Sequence, residues 1–250
     1  PVIADSVLDP IHFGFAASLQ RYGDLRRQYP QAEVMMGIGN VTELTDADTT
    51  GIQALLFGLI SELGIRNVLT TEVSDHARSA VREADRARRI MYAARADGSL
   101  PKGLDAGLLA THEKKPFPYT AAEIAELAAD IRDPSYRVQV SAEGIHVYNR
   151  DGLVGGTDPF TIFPRLSMLA EDAPHAFYMG VELERARIAW QLGKRYVQDE
   201  PLRWGVTVSK EQLGKSGGVH ARVQAASPYD PAGTTLTAAR AGRGKKRKPA

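Results

Sequence analysis

The sequence predicts an α/β protein on three observations. Apolar runs alternate with helix-period segments, a polar residue closes each run, and the closures recur about every 30 to 35 residues, the repeat of a βα unit. The first run, Val2 to Ala4, ends at Asp5, and a helical pattern follows over Ala16 to Arg27. Glu33 to Ile38 is the second strand, which leaves through Gly37-Ile38-Gly39 into Asn40. Ile52, Leu55, Leu56, Leu59, Ile60 and Leu63 mark one face of the next helix, and Gly64 closes it where a left-handed residue usually ends a helix. The β-branched, apolar "IRNVLTTE" is a third strand ending near Thr71, and Val81, Ala84, Ala87, Met91 and Ala94 line a long helix after it. Three consecutive βα units make a parallel sheet, open or part of a barrel. Farther on, His175 to Tyr196 reads as an amphipathic helix with Met179, Leu183, Ala186 and Trp190 on its apolar stripe. His175, Tyr178 and Glu182 are then expected to face outward.

Composition excludes several classes of chemistry. With 250 residues, 43% of them hydrophobic and 24% charged, the chain can bury the core of one or two globular units. It has no cysteine, which rules out disulfides, Cys-ligated zinc and thiol nucleophiles. Apolar runs such as Ala54 to Ile60 are too short to span a bilayer, and no basic-then-apolar leader precedes them. The expected setting is cytoplasmic, without a membrane partner. The chain opens on Pro1 and runs at once into an apolar segment, as a piece of a longer protein would. From Val208 onward nine Lys or Arg stand against two acids, about +7, which leaves about −6 on the rest. This Gly- and Pro-containing tail is expected to be disordered. Without aromatic residues among its basic ones, it reads as a solubilising tail rather than a nucleic-acid tether.

In α/β proteins the chemistry sits where strands end and helices begin. The residues at the three strand ends are Asp5 with Asp9 and His12, then Asn40, Thr42 and Glu43, then Thr70, Thr71, Glu72, Asp75 and His76. "GIGNVT" opens like the dinucleotide fingerprint G-x-G-x-x-G. Thr42 replaces the third glycine, however, and no acidic residue closes a second strand at the expected distance. An Asp on one strand end and an Asn on the next suit the aminopyrimidinone edge of a pterin. A carboxylate accepts two N–H bonds from such an edge, and an amide donates and accepts in one plane. A turn or helix-cap role accounts for the same two residues, and spacing leaves both readings open. Arg78, Arg82, Arg86 and Arg89 recur at three- and four-residue steps with Glu83 and Asp85 nearby, which predicts a solvated, salt-bridged helix face. Arg78, in the first turn, would be within reach of a phosphate or a glutamate tail. His12, His76, His112 and His146 are too scattered to be read as metal ligands.

The segments "PVIADSVLDPIHFGFAASLQRY", "MMGIGNVTELTDADTTGI", "VLTTEVSDHARSAVREADRARR" and "LPKGL" resemble the second half of the dihydropteroate synthase-like proteins. These are pterin-binding barrels associated with one-carbon cofactor biosynthesis in archaea, methylotrophs and some other bacteria. "DPSYRVQVSAEGIHVYNRDG" and "HAFYMGVELERARIAWQLGKRYVQDEPLRWG" are similar to the small domain of unknown function appended to that barrel. The resemblance spans about residues 1–207. It implies the last three βα units of a TIM-type (β/α)8 barrel over 1–105, a helical linker over 106–131, a small α+β domain over 132–207 and the basic tail over 208–250.

It also implies a reduced pterin as substrate or ligand, contacted by Asp5 and Asn40. Asp9, Thr42, Glu43, Thr71 and Arg78 are further candidates, and no protein ligands for a metal are implied. The implied partner is the missing N-terminal barrel half or a second copy of the chain. One departure stands out. Where the synthases place Ser-Arg-Lys, whose cation helps hold a diphosphate, this chain has Val41-Thr42-Glu43. A carboxylate there repels a diphosphate unless Mg²⁺ intervenes. The sequence thus also resembles the pterin-binding methyltransferases, and a non-catalytic binding or assembly subunit is the other alternative. In those cases Glu43 is expected to hydrogen-bond a backbone N–H or cap the following helix.

Overall fold

Three short parallel strands organise the N-terminal part of the computed structural model, which describes residues 2–167 and 172–213. They are β1 (Ile3–Asp5), β2 (Glu33–Gly37) and β3 (Asn67–Leu69), in the order β1-β2-β3. Helix α1 (Phe15–Gln28) follows β1, a single turn α2 (Gly39–Thr42) and then α3 (Thr49–Glu62) follow β2, and α4 (Ala80–Ala96) follows β3. The alternation within β2 sets the layers. Val34 and Met36, with Ile38 just beyond the strand, are buried against Tyr22, Leu56, Phe57, Ile60, Ala84 and Ala87. The opposite face carries Ile3, Met35 and Leu69, with Asp5 in register with Met35 and Gly37 with Leu69. Ile3 is 53% and Leu69 57% exposed, so among the described residues no helix layer covers this face.

The helix faces differ from the expected ones. Leu55 and Val81 are exposed, whereas Gln53 and Glu83 are buried. Where α3 and α4 meet near their N-termini, the contact is polar. The Glu83 carboxylate accepts hydrogen bonds from the Thr49 hydroxyl at 2.5 Å and the Ser79 hydroxyl at 2.6 Å, and Gln53 Nε2 donates to the Ala80 carbonyl at 3.3 Å. This contact turns polar residues inward and leaves part of the apolar row outside.

The chain divides into two compact units. One spans Pro1–Ala110 and takes back Trp204–Ser209, and the other spans Thr111–Arg203 and continues from Lys210. The returning strip is tied within the first unit, by the Val206 N–H donating to Gly107 O at 2.8 Å and Arg82 Nη2 donating to Thr207 O at 3.1 Å. In the second unit β4 (Arg137–Ser141), β5 (Gly144–Asn149) and β6 (Gly152–Gly156) form an antiparallel meander. Two-residue turns join the strands, with Gly144 (φ 140°) and Gly152 (φ 138°) in conformations that only glycine enters freely. Every residue of the central strand β5 is buried, between α5 (Ala121–Asp130) and α7 (Ala173–Leu192). Within 106–131 the one helix is α5, begun by a capping box between Thr120 and Glu123. Short turns α6 (Pro159–Ile162) and α8 (Lys210–Leu213), with 3₁₀ turns at Asp75–Ala77 and Phe163–Arg165, complete the elements among the described residues.

The outward placement of His175, Tyr178 and Glu182 on α7 is corrected. All three are buried, Glu182 completely, because hydrogen bonds in the interior take up the polar atoms of Glu182 and Tyr178 and the His175 ring packs between Tyr136 and Tyr178. Glu182 accepts from Tyr196 Oη at 2.6 Å, Arg185 Nη1 at 2.8 Å and the Asp199 N–H at 3.3 Å. Tyr178 Oη accepts from Gln198 Nε2 at 2.7 Å. Of the tail expected to be disordered, residues 214–250 lie outside the described residues. Among the described residues no helix is long and apolar enough to cross a membrane.

Candidate functional site

Because the three strands are parallel neighbours, the loops leaving their C-terminal ends gather at one end of the first unit. After β1 the chain turns sharply on Asp5. Its Oδ1 accepts from the Val7 N–H at 2.9 Å, an Asx-type turn, and from Tyr22 Oη at 2.5 Å. Asp5 is exposed rather than buried, and its Oδ2 has no hydrogen-bond partner among the described residues. Burial, reinforced by the bond to Asp5, pushes the Tyr22 phenol well above its ordinary range.

Arg21 straps the same loop. It donates to Ser6 O at 3.2 Å, Val7 O at 2.8 Å and Asp9 Oδ2 at 2.7 Å. Asp9 is thus held in an ion pair. Val7 (φ 58°) and His12 (φ 73°) both adopt left-handed backbone. For a β-branched valine this is a strained state, of the kind that surrounding contacts must hold in place.

Asn40 lies in the single turn α2 and is exposed. Its Nδ2 donates to Leu8 O at 2.9 Å, which ties the β2 loop to the β1 loop, and its Oδ1 has no partner among the described residues. Thr42 is fully buried and its hydroxyl turns back to Ile38 O at 3.4 Å. Its candidacy as a ligand contact is therefore corrected, because the α2 turn carries its side chain into the core. A Cβ at Gly39, at the head of that turn, would stand 2.9 Å from Thr71 Oγ1 and displace that side chain.

Glu43 binds the β2 loop to the β3 loop. Its Oε1 accepts from Thr71 Oγ1 at 2.8 Å and the Val73 N–H at 3.0 Å, and its Oε2 from the Ser74 N–H at 2.7 Å. The Val73 N–H is the largest cause of a carboxyl pKa held down at about 2, against an ordinary 4.5; Ser74 and Thr71 add to it, and partial desolvation works the other way. His76 Nε2 donates to Thr42 O at 3.1 Å and secures the same junction. The Thr70 hydroxyl, next in the chain to Thr71, is buried without a hydrogen-bond partner among the described residues.

The placement of Arg78 on the helix is corrected too. The residue follows a 3₁₀ turn (Asp75–Ala77) and precedes α4, so it is not part of the helical arginine row. Arg82 bonds Thr207 O, Arg86 pairs with Asp105 at 2.8 Å, and Arg89 pairs with Asp85 at 2.9 Å.

The loop end can therefore present two unoccupied acceptors, Asp5 Oδ2 and Asn40 Oδ1, in a frame of fixed loops. Among the described residues no group of three or more His, Asp or Glu side chains is placed to hold a metal ion. Glu43, the residue considered for Mg²⁺, does not fit that part, because both its oxygens are turned onto N–H and O–H donors. Sequence reasoning missed Arg21, Tyr22 and Glu83, which hold the site rather than touch a ligand. A Ser79-to-Glu83 spacing one residue longer than a capping box was the sole local sign of the last.

The chain matches no family model and no solved structure. It is similar to an uncharacterized protein of Methanocaldococcus jannaschii, 26% identical over 223 residues that cover 80% of this chain and 42% of that protein. The chain therefore spans less than half the length of this curated relative.

Proposed function

We propose that the chain binds a reduced pterin at the C-terminal ends of its parallel strands, as part of a dihydropteroate synthase-like protein. It would serve the biosynthesis or handling of a folate- or tetrahydromethanopterin-type one-carbon cofactor. The observation that carries this reading is the pair of open acceptors, Asp5 Oδ2 and Asn40 Oδ1, on loops of adjacent parallel strands. The amino group and ring N–H of a pterin are donors, so acceptors are what its edge requires. Asn40 offers its Oδ1 as the acceptor, while one of its two amide N–H groups is spent on Leu8.

The uncovered sheet face supports the barrel part of the proposal. Parallel sheets are normally covered on both faces, and closing these strands with five more would bury Ile3, Met35 and Leu69 in a barrel interior. The greater length of the archaeal relative leaves room for such strands.

Glu43 favours ligand binding or methyl transfer over the synthase reaction. Its charge, fixed by three hydrogen bonds at a strand end, is the wrong sign for holding a diphosphate. The test is calorimetric titration of 6-hydroxymethyl-7,8-dihydropterin into the chain, alone and mixed with a polypeptide supplying the remaining barrel strands. Saturable binding is expected, and Asp5→Ala weakens it by about 1–3 kcal/mol through loss of a charged acceptor. Equal affinity for both proteins removes Asp5 from the site, and no binding in either format overturns the reading.

A further inference from the structure

The second unit holds a cavity of about 320 Å³ along the β4 edge of its sheet, where Val138 and Val140 are buried. One wall is β4, which has β5 on one side and no strand on the other among the described residues. The opposite wall is the segment Arg195 to Gln198, and Tyr119 and Tyr148 contribute aromatic surface.

The direction of the β4 peptide groups follows from one bond. The Val138 N–H donates to Gln198 Oε1 at 2.8 Å, so the peptide groups of Val138 point away from β5. Strand alternation turns those of Val140 the same way. The Gln198 amide is bidentate on this edge, its Nε2 donating to Tyr136 O at 3.2 Å while its Oε1 takes the Val138 N–H. A side-chain amide thus supplies one rung of the ladder that a neighbouring strand would have made. The next rung, two residues on, consists of the Val138 carbonyl and the Val140 N–H. Neither has a partner among the described residues, and both residues line the cavity.

Charge narrows the occupant. No acidic residue lines the cavity, while Arg137 and Arg195 do. Arg137 is already paired with Asp133 at 2.6 Å, whereas Arg195 is exposed and makes no ion pair or side-chain hydrogen bond among the described residues. We infer that this edge is a β-augmentation site for an extended, acidic peptide segment of a partner protein. One peptide group of the segment completes the Val138–Val140 rung as the Gln198 amide completes the rung before it, and a carboxylate beside that group meets Arg195. The inference is independent of the pterin reading.

The probe is the blocked peptide acetyl-Val-Glu-Val-Glu-amide, titrated into the ¹⁵N-labelled full chain and followed by amide shifts. Saturable binding is expected, with Val140 among the most perturbed signals. N-methylation of the peptide's central amide and, separately, Arg195→Glu each weaken binding about tenfold or more. The Lys-for-Glu peptide is expected not to bind. Equal affinity for the N-methylated peptide, or for Arg195→Glu with its fold confirmed by circular dichroism, overturns the proposal. So does absence of binding, or glutarate alone reproducing the peptide's shifts, which would mark a small-anion site instead.

Discussion

Glu43 stands at the junction of two strand-end loops, and its behaviour with pH is fixed by how it is held. The folded protein keeps its carboxyl pKa at about 2 and the unfolded chain near 4.5, so the unfolded state takes up the proton first as acid is added. The stabilisation is therefore complete above the unfolded value and is lost as pH falls towards the folded one. Glu43→Gln, which keeps an acceptor but no charge, should lower the melting temperature at neutral pH, and the difference from wild type should close between about pH 4.5 and about pH 2. A difference that stays constant over that range would mean that charge at Glu43 does not matter. Glu83 makes a harsher case, since its removal strands the buried hydroxyls of Thr49 and Ser79. Glu83→Ala is expected to cost about 3 kcal/mol in urea unfolding. A loss under about 1 kcal/mol would show that the hydroxyls find other partners. Asp5, Asn40 and Glu43 were legible in the sequence because each follows a recognisable apolar run. Glu83 was not, because its partner Thr49 lies 34 residues away and no local pattern joins them.

At the scale of elements, β2 was readable as an apolar run closed by Gly37-Ile38-Gly39, and the structure buries Val34 and Met36 on one of its faces. Helix α7 was misread for a physical reason. A polar residue at a helical position was taken to face water, whereas Glu182 sits in the interior with Tyr196 and the Asp199 N–H supplying what water would have. The segment that brings Tyr196 to Glu182 lies beyond the helix, and helical periodicity carries no information about it. Burial and the neighbouring carboxylate both push the Tyr196 phenol above its ordinary range, so it donates to Glu182 throughout the neutral range. Tyr196→Phe should destabilise the chain by about 2 kcal/mol by leaving Glu182 short of a donor. Equilibrium unfolding checks this, and an unchanged midpoint would show that Arg185 and the Asp199 N–H satisfy the carboxylate by themselves.

For the whole molecule, the feature that most needs a physical account is the uncovered face of the parallel sheet. Ile3 and Leu69 are more than half exposed on it, and both outer strands, β1 and β3, lack a strand partner among the described residues. Exposed apolar surface beside open strand edges favours association. The occupant in the proposed barrel is a set of further strands, and in their absence a second copy of the chain is the simplest cover. Leu69→Lys separates a face used for association from one that is merely exposed. Because Leu69 is already 57% exposed, the substitution removes little intrachain packing and should leave circular dichroism and the unfolding midpoint of dilute protein unchanged. In sedimentation velocity the wild type is expected to show concentration-dependent association, and Leu69→Lys to shift it towards monomer. If the wild type is monomeric at every concentration and Leu69→Lys lowers its stability, the face is covered from within the same polypeptide, and the half-barrel reading of these three strands fails with it.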